Sequence, residues 1–281
     1  MLTDRDPPIR RPDAPSLDRP RYRVEFPPPV EESPDQDEAF FHLTDGDERT
    51  RIRFHDYAAI YSRRGLYEQL FYDRLKCQSP RKVADVLGQA VRSAHERPTE
   101  LRVLDLGAGN GMAAEALSGL GVSRLVGVDI IDEARDAAFR DRPGIYDHYY
   151  VTDFCDLDDD QRDELHGWAF DCLVSVAALG FGDIPARAIT EALDLIQVDG
   201  WIAFNIKATF LDSSDTSGFS TIVRELLFSE YLDLYHLERY RHRLSIDGRP
   251  LSYFAIVGKK SAERLPETVL ELATDGGMAG G

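Results

Sequence analysis

Between Val103 and Gly111 a short apolar run, Val103-Leu104-Asp105-Leu106, is followed by three alternate glycines, Gly107, Gly109 and Gly111. The run reads as a buried strand and residues 110–119 as the helix after it. Glycine lets the backbone turn sharply and approach a ligand with no Cβ in the way. The helix N-terminus brings backbone N–H groups that have no intrahelical partner. A strand, a glycine loop and a helix in this order suit a nucleotide-like ligand at the carboxyl end of a parallel strand. The glycines alone would serve a tight turn without a ligand equally well.

Two details sharpen the reading. The dinucleotide fingerprint is G-x-G-x-x-G, whereas here the third glycine comes one residue early and Met112 stands in its place. That spacing argues against NAD. Asp129 closes the next apolar run, Arg124-Leu125-Val126-Gly127-Val128, 24 residues after Asp105. A carboxylate at that strand end can accept hydrogen bonds from ribose hydroxyls. Beyond it, strand-like runs at 149–151, 170–176 and 201–206 alternate with helical stretches at 132–140, 185–196 and 218–229. This alternation predicts parallel strands joined by crossover helices. Residues 231–244 and 251–258 read as two strands joined by the turn Ile246-Asp247-Gly248-Arg249-Pro250, and strands so closely joined are antiparallel. The expected fold is α/β: a doubly wound, mostly parallel seven-stranded sheet with an antiparallel C-terminal hairpin.

At these residues the chain resembles the class I S-adenosylmethionine-dependent methyltransferases. Asp105-Leu106-Gly107-Ala108-Gly109-Asn110-Gly111 resembles their first motif and Asp129 their second. Thr152-Asp153-Phe154 resembles the site where an acid faces the adenine amino group. Phe170-Asp171-Cys172-Leu173-Val174-Ser175-Val176 resembles the fourth-strand motif. Leu195-Ile196-Gln197-Val198-Asp199-Gly200-Trp201 resembles the turn written L-x-P-G-G, with Val198-Asp199-Gly200 in place of Pro-Gly-Gly. Within that group the chain is closer to the ubiquinone/menaquinone-biosynthesis-like branch and the Williams–Beuren-region methyltransferase-like proteins. Phe54-His55-Asp56-Tyr57-Ala58-Ala59-Ile60-Tyr61 and Ser175 to Pro185 carry that closer likeness, with Ser62 standing where the first helix often has Asp. The resemblance implies S-adenosylmethionine as cofactor, held by Tyr57, Tyr61, Asp105, Gly107, Ala108, Gly109, Asn110, Gly111, Asp129, Ile130, Asp153, Phe154, Ser175 and Val176. It also implies that Tyr57 and Tyr61, one helical turn apart, close over the cofactor as a lid.

Outside residues 54–260 the composition changes. Nine of the fifteen prolines lie between Pro7 and Pro34, and residues 31–48 hold eight acids and no Lys or Arg. So little apolar surface predicts a disordered tail over 1–48 that can be deleted without loss of fold. Residues 49–100 read as a helical cap, 101–260 as the cofactor-binding domain, and 261–281 as a second disordered tail. The net charge of −17 argues against a nucleic-acid partner. The three cysteines, Cys77, Cys155 and Cys172, form no CxxC pair and read as reduced thiols of a cytoplasmic protein. No apolar run reaches the ~20 residues of a membrane span, and no His or Cys spacing suggests a metal.

Methyl transfer from a sulfonium mainly requires positioning of nucleophile and methyl group, so no catalytic residue is obligatory. The residues weighed for chemistry are His148, His236, His242, Asn205, Lys207 and Asp183. His148 reads as an exposed loop residue, His236 and His242 as part of a solvated strand face with Arg239, Arg241 and Arg243, and Asp183 as a helix cap. The absence of N/D-P-P-Y/F after the fourth strand, where Ala177-Ala178-Leu179 stands, suits a small-molecule methyl acceptor. The competing readings are a non-catalytic cofactor-binding partner protein, a protein methyltransferase and an NAD-dependent oxidoreductase.

Overall fold

The computed structural model describes residues 19–28, 38–179, 184–211 and 218–275. It begins with a small antiparallel sheet, β1 (Arg23–Glu25), β2 (Phe40–Asp45) and β3 (Glu48–Arg53), in the order β1-β2-β3. Helix α1 (Tyr57–Tyr61) follows, then α2 (Leu66–Glu68), which runs into a π-helical turn at Gln69–Arg74, and α3 (Ser79–Ser93).

The tail expected over 1–48 is therefore corrected where it can be seen; residues 1–18 and 29–37 lie outside the described residues. Average composition hides an alternation. Phe41 and Leu43 point to one side of β2, and their neighbours Phe40 and His42 to the other. With Val24, Ile52, Phe54, Ile60, Leu66 and Leu70 they form a separate apolar core. Each such side chain contributes ~1.5–3 kcal/mol when fully buried, which offsets the ordering cost of this short sheet. The expected helical cap at 49–100 thus starts inside β3, and its helix breaks into three pieces at Gly65 and Lys76, both with positive φ.

The main sheet has seven strands: β4 (Arg102–Leu106), β5 (Arg124–Asp129), β6 (His148–Val151), β7 (Cys172–Ser175), β8 (Trp201–Lys207), β9 (Leu232–Leu244) and β10 (Pro250–Lys260). Their order is β6-β5-β4-β7-β8-β10-β9. The first five are parallel, and β10 joins β8 and β9 antiparallel. Helices α3, α4 (Met112–Ser118) and α5 (Asp132–Asp141) cover one face. The other face carries α6 (Asp159–Gly167), α7 (Ala186–Asp194), α8 (Gly218–Phe228) and α9 (Glu267–Asp275). This is the expected doubly wound sheet with its C-terminal hairpin.

Two helices escaped the sequence reading. In α6 only Leu165 is buried, so the apolar periodicity is nearly absent. Its signal is the capping box of Asp158 and Gln161, each side chain bonded to the other's backbone N–H. Helix α9 lies in the expected C-terminal tail, yet it buries Val269 and Ala273.

The sheet order reverses at β4, which pairs with β5 on one side and β7 on the other. In open α/β sheets that switch point leaves a crevice at the carboxyl ends of the strands.

Candidate functional site

A cavity of about 300 Å³ opens at this crevice. Its wall comes from the ends of four strands: Leu106 and Gly107 after β4, Val128 to Ile131 after β5, Thr152 to Phe154 after β6, and Val176 to Ala178 after β7. The N-terminal cap adds His55, Tyr57, Tyr61 and Tyr67. No Lys or Arg lines it among the described residues.

Eight of the fourteen sequence candidates meet here: Tyr57, Tyr61, Gly107, Asp129, Ile130, Asp153, Phe154 and Val176. The other six, Asp105, Ala108, Gly109, Asn110, Gly111 and Ser175, stand behind the wall and hold it. Ser175 is buried and donates to the Leu106 carbonyl at 3.0 Å, joining the ends of β7 and β4. Asn110 donates to Glu68 at 3.0 Å.

The amides of Gly107, Ala108 and Gly109 are engaged by the protein itself. Gly107 and Ala108 both donate to the Val128 carbonyl at 2.9 Å, and Gly109 donates to Asp129 Oδ2 at 2.8 Å. The Tyr149 hydroxyl donates to the Gly109 carbonyl at 2.8 Å, and Arg142 to that of Asn110 at 3.0 Å. Gly107 has φ of 74°, and a Cβ on it would lie 2.7 Å from Ala178 Cβ. A Cβ on Gly109 would lie 2.5 Å from the Tyr61 hydroxyl oxygen. Glycine is required at both positions by conformation and by space. The loop therefore offers a close, polar-backbone surface and no free amide from Gly107 to Gly109.

Asp129 accepts from Gly109 with one oxygen and from the Ile131 N–H at 3.1 Å with the other. Each carboxylate oxygen has a second lone pair, so capacity for two ribose hydroxyls remains. Burial raises its pKa above the ordinary value, against the pull of those backbone donors. Behind it Asp105 is wholly buried, accepts from the Tyr146 hydroxyl at 2.8 Å, and has its other oxygen unpartnered. Burial pushes Asp105 up to about 7, the Tyr146 bond opposes this, and the nearby Asp129 adds to it.

Tyr57 and Tyr61 stack at 5.9 Å between ring centres, and Tyr67 follows Tyr61 at 5.2 Å. His55 and Tyr67 were not singled out from the sequence. His55 lies in the stretch Phe54 to Tyr61, two residues before Tyr57, and Tyr67 lies two residues past Gly65.

The other residues weighed for chemistry are elsewhere. His148 is exposed beside Tyr150 and Trp168. His236 pairs with Glu238 at 3.2 Å. His242 follows Tyr240 on the inward face of β9 and is buried, and at the register shift there Arg243 is buried as well, contrary to the expected solvated face. Asn205 is fully buried behind the β7 end, and Lys207 is half-buried at the end of β8. Asp183 lies outside the described residues. No group of three or more His, Cys, Asp or Glu is placed to hold a metal among the described residues, and no helix there is long and apolar enough to cross a membrane.

Residues 104–204, from β4 into β8, match the family model described as a methyltransferase domain. Comparison with curated proteins finds no match. Solved structures similar to this chain include magnesium protoporphyrin IX methyltransferase from Synechocystis with bound S-adenosylmethionine. It is 14% identical over 65% of this chain and 79% of its own, with a TM-score of 0.46. The N-methyltransferase NodS from Bradyrhizobium japonicum, in complex with S-adenosyl-L-homocysteine, is 16% identical over 64% and 86%, with a TM-score of 0.45. The ribosomal protein L11 methylase from Lactobacillus delbrueckii is 20% identical over 64% and 78%, with a TM-score of 0.44.

Proposed function

We propose that the protein is a class I S-adenosylmethionine-dependent methyltransferase that acts on a small-molecule acceptor. The observation that carries the cofactor is the pairing of Asp129 with a glycine loop whose Gly107, Ala108 and Gly109 amides are already spent. A pyrophosphate needs free amides or cations, and neither the amides of Gly107 to Gly109 nor, among the described lining residues, a Lys or Arg supplies them; an uncharged ribose beside a sulfonium needs a carboxylate and close backbone contact. The methyltransferase-domain match at 104–204 supports the same choice.

When bound, the cofactor supplies an electrophilic methyl group on a sulfonium. Asp129 holds the ribose hydroxyls, Asp153 and Phe154 meet the adenine, and Gly107 lets the loop approach. Tyr57 and Tyr61 exclude water from above, and the chain contributes rate mainly by alignment. The apolar wall at Val176, Ala177 and Ala178 and the net charge of −17 favour a small organic acceptor over nucleic acid. The three unpaired cysteines support a cytoplasmic location, where thiols stay reduced.

Calorimetric titration with S-adenosylmethionine, S-adenosylhomocysteine and NAD tests the cofactor. The first two bind and NAD does not; NAD binding without a response to S-adenosylhomocysteine sinks the reading. Asp129→Ala weakens S-adenosylhomocysteine by about 1–3 kcal/mol, the cost of stranding hydrogen-bonded groups. Incubation of a cell extract with methyl-labelled cofactor tests the acceptor. Label is expected in the small-molecule fraction, and label confined to protein or RNA overturns that part.

A further inference from the structure

The ladder between β7 and β8 ends where Ser175 faces Phe204. One residue further along β8, the side chain of the wholly buried Asn205 takes over. Its Oδ1 accepts the N–H of Ala177 at 2.6 Å. Ala177 lines the cavity and has φ of 57°, a left-handed conformation disfavoured for any residue with a Cβ. The same turn carries Ala178, whose Cβ closes the space over Gly107.

Behind Asn205 lies a polar network with no contact to the cavity. Asn205 Nδ2 donates to the Tyr240 hydroxyl at 2.9 Å and to Ser79 Oγ at 3.2 Å. Ser79 Oγ lies 2.6 Å from the Tyr240 hydroxyl and 2.5 Å from His242 Nδ1. All four side chains are buried. Burial, with the adjacent Arg243 guanidinium, holds the His242 pKa well below its ordinary value, so the network is uncharged. The Ala177 N–H can only donate, so it takes Oδ1 and turns Nδ2 to the two hydroxyls, which accept. An N–H at a cavity wall can bond to water, so the network is not required to satisfy it. Its effect is conformational: α3, β8 and β9 converge on one strained residue.

We propose that Asn205 is a positioning residue of the ligand cavity, holding the turn 176–178 in its left-handed conformation against the glycine loop and thereby setting cofactor affinity. The proposal rests on the reading of the cavity as an S-adenosylmethionine site.

The test is calorimetric titration of the full chain with S-adenosylhomocysteine, with melting temperature measured in parallel. Asn205→Ala is expected to weaken binding about tenfold, as loss of one buried hydrogen bond does. Ala177→Gly adopts positive φ without help. Introduced into both backgrounds it closes a double-mutant cycle, and Asn205→Ala is expected to cost far less affinity in the Ala177→Gly background than in the wild type. A role confined to packing is not rescued this way. If Asn205→Ala does not fold, Tyr240→Phe, which leaves the amide nitrogen only the Ser79 hydroxyl, carries the same test with a smaller loss and the same rescue. Unchanged affinity, or a loss that Ala177→Gly does not relieve, overturns the proposal while the cofactor reading stands. A wild-type protein that does not bind S-adenosylhomocysteine overturns the cofactor reading and this proposal together.

Discussion

Asp105 lies one residue before the end of β4 and Asp129 ends the adjacent β5, and the fold treats the two carboxylates differently. Asp129 reaches the cavity and is met by backbone donors, whereas Asp105 has one tyrosine and one unpartnered oxygen in a dry site. The consequence for stability follows from linkage. An ordinary aspartate titrates near 3.8, and buried Asp105 near 7. Between those values the folded chain keeps a proton that the unfolded chain has released. Stability contributed at this site therefore falls as pH rises through that window, and the penalty is complete above it. Asp105→Asn keeps an acceptor for Tyr146 and removes the titration. Relative to wild type, the variant is expected to gain stability from about pH 4 to about pH 7, by at most ~4 kcal/mol. Denaturant unfolding across that range checks it, and parallel pH profiles for the two proteins would rule it out.

Among the elements, α2 is tied to the glycine loop by a buried ion pair. Glu68 meets Arg142 at 2.8 Å with both side chains almost fully enclosed, and Arg142 also bonds Glu115 at 2.8 Å. Glu68 further accepts from Asn110, and Arg140 donates to the Tyr61 carbonyl at 3.0 Å. The cap is docked through charge at its base while its tyrosines face the cavity. A lid that opens wholesale would expose that pair and break the Arg140–Tyr61 bond. Removing one partner strands a buried charge. Glu68→Ala is expected to cost about 3–5 kcal/mol and to weaken S-adenosylhomocysteine, because Asn110 and Arg142 both hold the loop. Melting temperature and calorimetry measure the two effects; a variant unchanged in both would show that the pair contributes nothing.

At the scale of the whole molecule, the small N-terminal sheet closes a core of its own with α1 and α2. Deletion through residue 18 is expected to leave melting temperature unchanged. Deletion through residue 53 removes Val24, Phe41, Leu43 and Ile52 from that core, and at ~1.5–3 kcal/mol for each buried side chain it unfolds the cap. Equal melting temperatures for the two truncations would contradict this. The same contrast marks what the chain determines alone. The doubly wound sheet, its hairpin and the loop from Asp105 to Gly111 are legible in sequence, because strand length, apolar runs and glycine spacing are local. So is Asp129, placed by the end of its own strand. The β1–β3 sheet was not legible, since the composition averaged over 31–48 hides the local alternation of Phe41 and Leu43 that pairs with β3. Nor was α6, whose single buried leucine leaves its capping box as the only signal. The burial of His242 against Ser79, the Glu68–Arg142 pair and the hold of Asn205 on Ala177 are decided by tertiary structure. Each depends on which distant side chains share a dry space, and burial is what gives those polar contacts their strength.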